Sequence, residues 1–573
     1  MGVNGIYGLS GSGLDIESMV KVGMMSKQNE YDKMAQKYTK NEWTKAAYLE
    51  LNSSITSFNM TKLSDYKMSS SMNAKTATSS DSTIKVTANA NAVLMMHKVE
   101  VDTVASNAYL VGTEAVTRKN TSDDAKNSIK LADAIFKGAM TTNDNGENFS
   151  VSYGDESNPL TTLFNKDDVA FKFTISDGSS NSKEIKYTYG DLYEGKTFNN
   201  LVSDINNAGL NVRATYDSIN DRFSFYNTEG GKENTIKFTL DTVTASGYDN
   251  VDTTNTNEVA TLNARDFLNN LHLKKSAAGE TEDIAPFTVN STGSSDNIIT
   301  GQDGKIKIDG VEYTTTDNKV TVGGITYDTT AATKNAAATV SISQDVDSIV
   351  DKVKSFVEDY NKILSSLYEK YDEKPDSNYK PLTQTQKDGM KEEQITKWEE
   401  KAKAGLLYHD QTLSKIILSM RSAISSSITL EDGTTTSAYS IGISTTGIKG
   451  QLKLDETKLK QALADNPDAV YNVFAKLDAN DADNSAKSGI AQRLGDVFST
   501  ATKSIRSRAG SSSDVTEDSD LNNLLRNLQT KMSNFKKMMD SFEDALYKKY
   551  DKMETALARL GTQMNYVMGS TSQ

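Results

Sequence analysis

The residue types that most often carry catalysis or bind metals are sparse in this sequence of 573 residues. It has no cysteine and three histidines, His97, His272 and His409. Disulfides, thiolate metal sites and Cys nucleophiles are therefore excluded. No histidine has a partner at a metal-ligand spacing such as H-x-x-x-H, so we expect each one to be solvated or hydrogen-bonded in a structural role.

Other patterns that could do chemistry lack a residue that the chemistry requires. Residues 8–13 (GLSGSG) superficially resemble a phosphate-binding loop, but the Lys-Ser/Thr ending and a preceding strand are missing. The run around Gly146 suggests calcium, but placing Gly146 sixth in an EF-hand loop puts Thr141 first, where Asp is required. Paired carboxylates such as Asp481 and Asp483 lie in polar runs with no apolar setting to raise a pKa. We therefore expect no enzymatic activity, no metal and no cofactor.

The charge balance bears on the partners of the chain. Lys and Arg total 63, Asp and Glu total 77, and the formal net charge is -14. An acidic surface repels phosphate backbones and anionic lipids, and no stretch approaches the ~20 apolar residues that span a bilayer. We expect neither nucleic acid binding nor membrane insertion. Residues 1–18 lack the basic start and apolar core of a secretory signal, so any export is expected to proceed without a cleaved signal peptide.

The elements that would position any site begin with a long helix. Residues 1–14 are rich in Gly and Ser and are expected to be mobile. A helix is predicted to start near Asp15, whose side chain can accept hydrogen bonds from free N–H groups, and to continue, with a break allowed, to about Tyr66. Its best apolar stripe, at spacings of three, four and three residues, contains Tyr48, Leu51, Ile55 and Phe58.

The middle of the chain alternates apolar and polar residues with period two, as half-buried strands do. This pattern predicts strands near residues 84–88, 99–102, 171–175, 305–308 and 320–322, within a long region dominated by Thr, Asn, Ser, Asp and Gly. Helical periodicity returns over residues 346–367. After Pro375 and Pro381, two further helices are predicted, one around Trp398 and one from Leu406 to Ile424.

The segment from Leu521 to Met568 has the clearest periodicity. Apolar residues recur at strict seven-residue intervals, at Leu525, Met532, Met539, Leu546, Met553, Leu560 and Val567. A second seam contains Leu528, Phe535 and Phe542, is interrupted at Lys549, and resumes one position later at Tyr550, Leu557 and Met564. A strict heptad predicts supercoiling against another helix, whereas an ordinary buried face of an intramolecular bundle would give the same pattern.

These elements predict an α+β multidomain fold. The N- and C-terminal helices pair into a coiled-coil or helical-bundle stalk, and mainly antiparallel β head domains are inserted between them. We expect terminal leg segments at residues 1–45 and 520–573, partly disordered alone; a helical stalk domain at 46–75 and 340–519; a β-rich head at 76–120 and 290–339; and a second, variable β-rich head at 121–289.

A specific function comes from resemblance to a known family. Residues 8–20 (GLSGSGLDIESMV) resemble the opening motif of flagellar filament-capping proteins, also called hook-associated protein 2, and residues 42–52 resemble the next helix of that family. Further similar stretches, in the family's order, are residues 346–361, 405–413, 441–474 and 553–557, and residues 197–214 resemble a module that recurs among flagellar axial proteins. Residues 120–190 and 235–300 match no pattern of the family and are expected to form a variable insertion.

The resemblance implies a role in assembling the bacterial flagellum. Family members are exported through the flagellar secretion apparatus with a cytoplasmic chaperone, and form a ring, with a pentamer favoured, at the distal filament tip. The helical termini act as legs and each arriving flagellin folds beneath the heads. On this basis the heptad residues and the Tyr48–Phe58 stripe are candidate assembly residues. We expect residues 1–45 and 530–573 to order only against filament partners.

Two alternatives stay open. Another flagellar axial protein, such as a hook–filament junction protein, would share the terminal helices and the export route. An adhesin would use the Thr- and Asn-rich β head to bind a host surface, and this role is compatible with capping.

Overall fold

The structure is a computed structural model, and its described residues are 15–119, 129–136, 138, 140–143, 146–153, 160–178, 181–241, 248, 254–273, 287–288, 298–333, 336–477, 487–511 and 518–570. The Gly- and Ser-rich residues 1–14 and the carboxylates Asp481 and Asp483 lie outside them. The chain divides into two compact units: the first contains Met1–Ala74 and Gln344–Gln573, and the second contains Lys75–Ser343.

In the described part of the chain the α-helices are α1 (Ile16–Ser57), α2 (Ser64–Tyr66), α3 (Ser69–Met72), α4 (Leu131–Ile135), α5 (Tyr189–Tyr193), α6 (Phe198–Asn206), α7 (Thr256–Asn270), α8 (Val346–Asp372), α9 (Gln384–Asp388), α10 (Glu392–Lys403), α11 (Gln411–Ser425), α12 (Glu456–Asp465), α13 (Ala469–Phe474), α14 (Ile490–Ala509) and α15 (Asp520–Ser570). A π-helical turn (Phe58–Leu63) joins α1 to α2, and a 3-10 turn spans Ala438–Ile441.

The strands are β1 (Lys75–Ser79), β2 (Ile84–Ala88), β3 (Met96–Thr103), β4 (Asn107–Val111), β5 (Met140–Asn143), β6 (Asn148–Tyr153), β7 (Leu160–Asn165), β8 (Val169–Ser176), β9 (Ser182–Thr188), β10 (Val212–Asp217), β11 (Arg222–Gly230), β12 (Lys237–Thr239), β13 (Phe287–Thr288), β14 (Ile298–Ile299), β15 (Gly304–Ile308), β16 (Val311–Thr315), β17 (Lys319–Val322), β18 (Ile325–Thr329), β19 (Ala338–Gln344), β20 (Ile428–Thr429), β21 (Thr435–Thr436), β22 (Ile443–Thr446) and β23 (Gln451–Leu454).

The first unit is helical and is assembled from both ends of the chain. Helix α1 starts where the sequence predicts, because the Asp15 carboxylate accepts a hydrogen bond from the Ser18 backbone N–H at 3.0 Å. The predicted continuation to Tyr66 also holds, since the π-helical turn extends α1 directly into α2. One hydrophobic core joins the C-terminal half of α1 to α8, α11, α12, α13 and α14.

Helix α8 gives this core its widest apolar face. Its N-terminus is capped by the Asp345 carboxylate, which accepts from the Ser348 N–H at 3.1 Å. The predicted stripe is buried at every position after Val346: Ile349, Val353, Phe356, Val357, Tyr360, Ile363, Leu364 and Leu367. The apolar residues spaced three and four positions apart therefore form one continuous face of α8, as predicted, and this face packs against the core.

The helix predicted from Leu406 to Ile424 begins later than expected. Its first residue is Gln411, because His409 adopts a left-handed backbone conformation with φ of 52°, which a right-handed helix cannot include. The carboxylate of Asp410 then accepts from the Leu413 N–H at 3.0 Å and caps the helix. Leu407 is buried against the core before the helix starts, which accounts for its helix-like apolar spacing.

The second unit is built of antiparallel sheets around two cores. Strands β1-β19-β3-β15-β16 form one sheet and β17-β18-β2 another, and their inward side chains form a core within residues 84–101 and 306–342. Sheets β10-β11-β4-β14, β13-β12-β8-β9 and β5-β6-β7 pack with α6 and α7 around a larger, Phe-rich core within residues 108–273.

Alternation of apolar and polar residues accounts for these strands. In β15, for example, Ile306 and Ile308 point into the core while Lys305 and Lys307 face solvent. Strand pairs with a described register, such as β3 with β15 and β10 with β11, run antiparallel. The fold is therefore α+β, with antiparallel sheet domains inserted between helical N- and C-terminal regions. The finer boundaries expected for legs, stalk and two heads stay a prediction.

Candidate assembly surface on the terminal helices

Helices α1 and α15 lie side by side and run in opposite directions. Lys45 Nζ donates to Asn522 Oδ1 at 2.7 Å, and Lys27 Nζ lies 5.8 Å from the centroid of the Phe535 ring. Further toward the start of α1, a Cβ added at Gly23 would lie only 2.8 Å from Leu546 Cδ1. Residue numbers fall along α1 as they rise along α15, so the two termini form an antiparallel pair.

The seven heptad residues of α15 become more exposed along the helix. Leu525 is 9% exposed and Met539 is 8% exposed, and Met532, Leu546 and Met553 are half-buried. Leu560 and Val567, at the far end, are 58% and 59% exposed. The seam is thus covered near the core and open to solvent at its end.

The end of the seam lies past the described start of α1. Since Gly23 is level with Leu546 and both helices rise 1.5 Å per residue, Ile16 is level with about residue 553. Leu557, Leu560 and Met564 follow that level at helical spacing and are 41%, 58% and 63% exposed. They form one apolar strip, defined here as the α15 end strip, that continues the paired seam.

The Tyr48–Phe58 stripe of α1 occupies a different environment from the heptad seam. Tyr48, Leu51 and Ile55 are at most 1% exposed, and Phe58 packs edge-on against Phe498 of α14 with ring centroids 5.4 Å apart. All four belong to the main core of the first unit, whereas none of the seven heptad residues does. The structure therefore does not bring the two sets together: the stripe anchors α1 in the core, and the heptad residues line the pair beyond it.

A hydrogen bond holds α1 in place where its buried stripe meets the part of the helix that pairs with α15. The Tyr48 hydroxyl donates to Asp410 Oδ2 at 2.6 Å, across 362 residues of sequence. Burial, followed by this bond to a carboxylate, raises the pKa of Tyr48 to about 12. Because Asp410 also caps α11, one carboxylate holds two helices in place. No local pattern could have revealed this pairing, and the only sequence signal was the Asp directly preceding a predicted apolar helix.

Each of the three histidines has a structural contact. His97 Nδ1 lies 2.7 Å from Asp309 Oδ2, and His272 Nε2 lies 2.8 Å from Thr117 Oγ1. The ring of His409 packs against Tyr371 with centroids 5.1 Å apart. Among the residues that the structure describes, no group of three or more His, Cys, Asp or Glu side chains is arranged to hold a metal ion. No helix in that same part of the chain is long and apolar enough to cross a bilayer.

Two family models match the chain. The model for the flagellar hook-associated protein 2 N-terminus matches residues 12–108, and the model for the C-terminus of the same family matches residues 301–562. Together they take in more than half of the chain.

Similar whole proteins carry the same description. A flagellar hook-associated protein 2 of Halalkalibacterium halodurans is 24% identical over 96% of this chain and 97% of its own length. One of Thermotoga maritima is 24% identical over 97% of this chain and 94% of its own length. A solved structure of three domains of the flagellar cap protein FliD from Escherichia coli is 18% identical, covers 80% of this chain and 99% of its own, and gives a TM-score of 0.47. Because the two family models together match more than half of the chain, it belongs to the flagellar hook-associated protein 2 family, whose members are structural flagellar cap proteins and not enzymes.

Proposed function

We propose that this chain caps the distal end of the bacterial flagellar filament as a closed homo-oligomeric ring, with a pentamer favoured. The ring promotes folding and insertion of exported flagellin and prevents its loss, and motility depends on it. The protein reaches this extracellular position through the flagellar export apparatus, assisted by a cytoplasmic chaperone. The observation that carries the proposal is the α15 end strip, an exposed apolar seam at the end of a long terminal helix.

The α15 end strip has the properties of a binding surface for a helix. Solvated apolar residues in a contiguous row cost free energy in water and mark interaction sites. Leu557, Leu560 and Met564 keep the spacing of the paired part of α15, so a second helix fits the same grooves. Met side chains repack readily, which suits a leg that must release one filament site and bind the next.

The ring requires a contact between unlike surfaces of neighbouring copies. A heterologous contact generates either a closed ring or an open helix, depending on the rotation that it imposes. A closed ring at the end of a helical filament leaves its legs in non-equivalent sites. Weakly held leg ends, such as the exposed end of α15, accommodate that mismatch.

Introducing charged residues into the α15 end strip tests whether the strip binds the filament as part of a leg. Leu560→Lys with Met564→Lys places two charges on the seam, whereas Thr555→Lys with Thr562→Lys places the same charges on the opposite, exposed side of α15. Each variant would replace the native protein in a cap-deficient flagellated strain, with motility and flagellin lost to the medium as readouts. We expect the seam variant to lose motility and release flagellin, and the control variant to behave as the native protein.

Ring formation is tested separately on purified protein. Light scattering and negative-stain electron microscopy on the full chain and on a version lacking residues 530–573 measure mass and symmetry. A closed ring of about five copies supports the proposal, and its dispersal on truncation assigns the heptads to assembly. A strict monomer at high concentration, together with normal motility of the seam variant, would refute it. Carbohydrate or mucin binding by residues 120–300 alone would instead favour the adhesin alternative.

A further inference from the structure

Methionine is the only sulfur-containing residue of this chain. The sequence has 19 methionines and no cysteine. Because no thiolate is present to react first, the thioether of methionine is the side-chain group that a peroxide oxidises most readily. The reaction requires the peroxide to reach the sulfur, so the exposed fraction of each methionine predicts the order in which the residues are oxidised.

The methionines of α15 differ in exposure along the helix. Met539, in the part of the seam that α1 covers, is 8% exposed, and Met553 is half-buried. Met564 and Met568 lie past the level at which α1 begins and are 63% and 62% exposed. We name these two residues the end methionines. The helix therefore has shielded sulfurs in its paired part and accessible sulfurs at its end.

The end methionines continue the α15 end strip. Met564 belongs to the strip and follows Leu560 by four residues, and Met568 follows Met564 by four residues. Side chains four residues apart lie on the same face of a helix, so the two sulfurs share the apolar face of the strip. The leucines of the strip do not react with peroxide. Oxidation of this surface is thus confined to its outermost part.

Reaction of a thioether with hydrogen peroxide transfers one oxygen atom. A lone pair of the sulfur forms a sulfur–oxygen bond, the oxygen–oxygen bond breaks, and the peroxide is reduced to water as the sulfur is oxidised by two electrons. The product, methionine sulfoxide, is a polar group. A surface complementary to an apolar strip offers no donor matched to the sulfoxide oxygens, and burying a polar group without a hydrogen bond is unfavourable.

An exposed methionine elsewhere in the first unit provides a comparison. Met60, on the π-helical turn, is 70% exposed, so peroxide reaches its sulfur as well. Phe58 and Leu63 of the same turn are buried in the core, whereas Met60 is solvated. Oxidation of Met60 therefore changes a side chain that is not part of the surface used by the proposed function.

We propose that the end methionines form an oxidation-sensitive site, at which hydrogen peroxide releases the end of α15 from its binding partner on the filament. The inference rests on the proposed function, because the α15 end strip has to bind the filament for its oxidation to have an effect. Two sulfoxides on the strip should weaken binding by about 10- to 100-fold, the cost of burying polar groups without hydrogen bonds. Since the contact itself shields the sulfurs, a leg is oxidised only while it is detached.

Mass spectrometry of peptides from peroxide-treated full-length protein tests the site itself. Each oxidised methionine gains the mass of one oxygen atom. We expect Met60 and the end methionines to be oxidised well before Met539. If the protein is first bound to filaments sheared from a cap-deficient strain, the end methionines should react slowly while Met60 reacts as before. Oxidation of Met539 as fast as that of Met564 would contradict the accessibility on which the inference depends.

Filament binding before and after peroxide treatment tests the consequence. The native protein, Met564→Leu with Met568→Leu, and Met60→Leu are compared as full-length proteins. The quantity measured is the ratio of the two affinities of each protein, so any effect of the substitution itself cancels. Leucine keeps an apolar side chain of similar volume and has no sulfur to oxidise.

The three proteins should differ in this ratio. We expect peroxide to lower the affinity of the native protein and of Met60→Leu by about 10- to 100-fold, and to leave that of the double variant unchanged. Methionine sulfoxide reductases convert the sulfoxides back to thioethers, so treating the oxidised native protein with them should restore binding.

The outcomes separate this inference from the function on which it rests. Native protein that binds equally well before and after oxidation of both end methionines overturns the inference and leaves the capping function in place. A double variant that loses as much affinity as the native protein, or a loss that the reductases do not reverse, also overturns it. Failure of the untreated native protein to bind filaments overturns both.

Discussion

Replacing Tyr48 by Phe removes one hydroxyl at the point where the N-terminal helix meets the core. The aromatic ring, which is 1% exposed, keeps its packing, while Asp410 loses the donor 2.6 Å away. Asp410 keeps its second role as the cap of α11, so the helix remains intact. The variant therefore removes the hydroxyl contacts that join α1 to Asp410 and Thr412 at the start of α11 and to Arg508 of α14.

The size of the effect depends on pH in a predictable way. A hydrogen bond to a charged group contributes about 2 kcal/mol, which the variant should lose at pH 8. The folded pKa of Tyr48, about 12, is raised above the unfolded value of about 10, so its contribution is complete below pH 10 and is lost as pH rises through 12. At pH 11 this loss amounts to about 1.4 kcal/mol in the native protein and to nothing in Tyr48→Phe. The difference in unfolding free energy between the two proteins should then shrink to about 0.6 kcal/mol.

Urea unfolding followed by tryptophan fluorescence measures this difference. The chain has two tryptophans, Trp43 and Trp398, and both belong to the first unit, so the signal reports that unit alone. Other buried tyrosines with raised pKa values, such as Tyr66, affect both proteins equally and cancel. Tyr439→Phe is the matched control, because Tyr439 is 69% exposed and its hydroxyl should contribute less than about 0.5 kcal/mol. Equal stability of native protein and Tyr48→Phe at pH 8, or a difference that stays constant to pH 11, would refute the reasoning.

Three further predictions concern the terminal pair. Leu528→Ala, at a residue 7% exposed, should destabilise the first unit by about 2 kcal/mol in urea unfolding, whereas Leu560→Ala should change it by less than about 0.5 kcal/mol. Gly23→Leu should keep α1 away from Leu546 and reduce motility when it replaces the native protein in a cap-deficient strain, and Gly23→Ala should not, because Leu546 can yield to one methyl group. Amide hydrogen exchange on the free protein should be fast in residues 16–45 and 530–570 and slow around Leu51; strong protection throughout both terminal segments would contradict their expected ordering on the filament.

The sequence predicted the elements whose patterns are local. The α8 stripe spaced three and four residues apart is buried as one face, and alternation located β15 correctly. The predicted start of α11 was wrong, because the spacing of apolar residues does not reveal that His409 has a left-handed backbone conformation. Asp410 nevertheless preceded the helix as a capping residue does, so the true boundary was readable from side-chain chemistry rather than periodicity.

The candidate site could be predicted only in part, because periodicity does not identify the partner of a face. The heptads were consistent with a coiled coil or with a bundle core, and the structure places their early residues against α1 and leaves Leu560 exposed. Contacts between distant residues, such as Tyr48 with Asp410, depend on how the two chain ends are brought together.

The Tyr48–Phe58 stripe of α1 is buried in the core, whereas the heptad residues of α15 become exposed toward its end. The two terminal helices therefore differ in local stability along their length. At the core end, Leu51 and Ile55 are fully buried and Tyr48 is bonded to Asp410, so opening there requires disruption of the main core of the first unit. At the other end, Leu560 is mostly solvated and its release exposes little further surface. Local opening should therefore begin at the far end of α15 and stop near Leu525. The leg role proposed above would use this opening, because the end of α15 can detach and rebind without unfolding the core of the first unit.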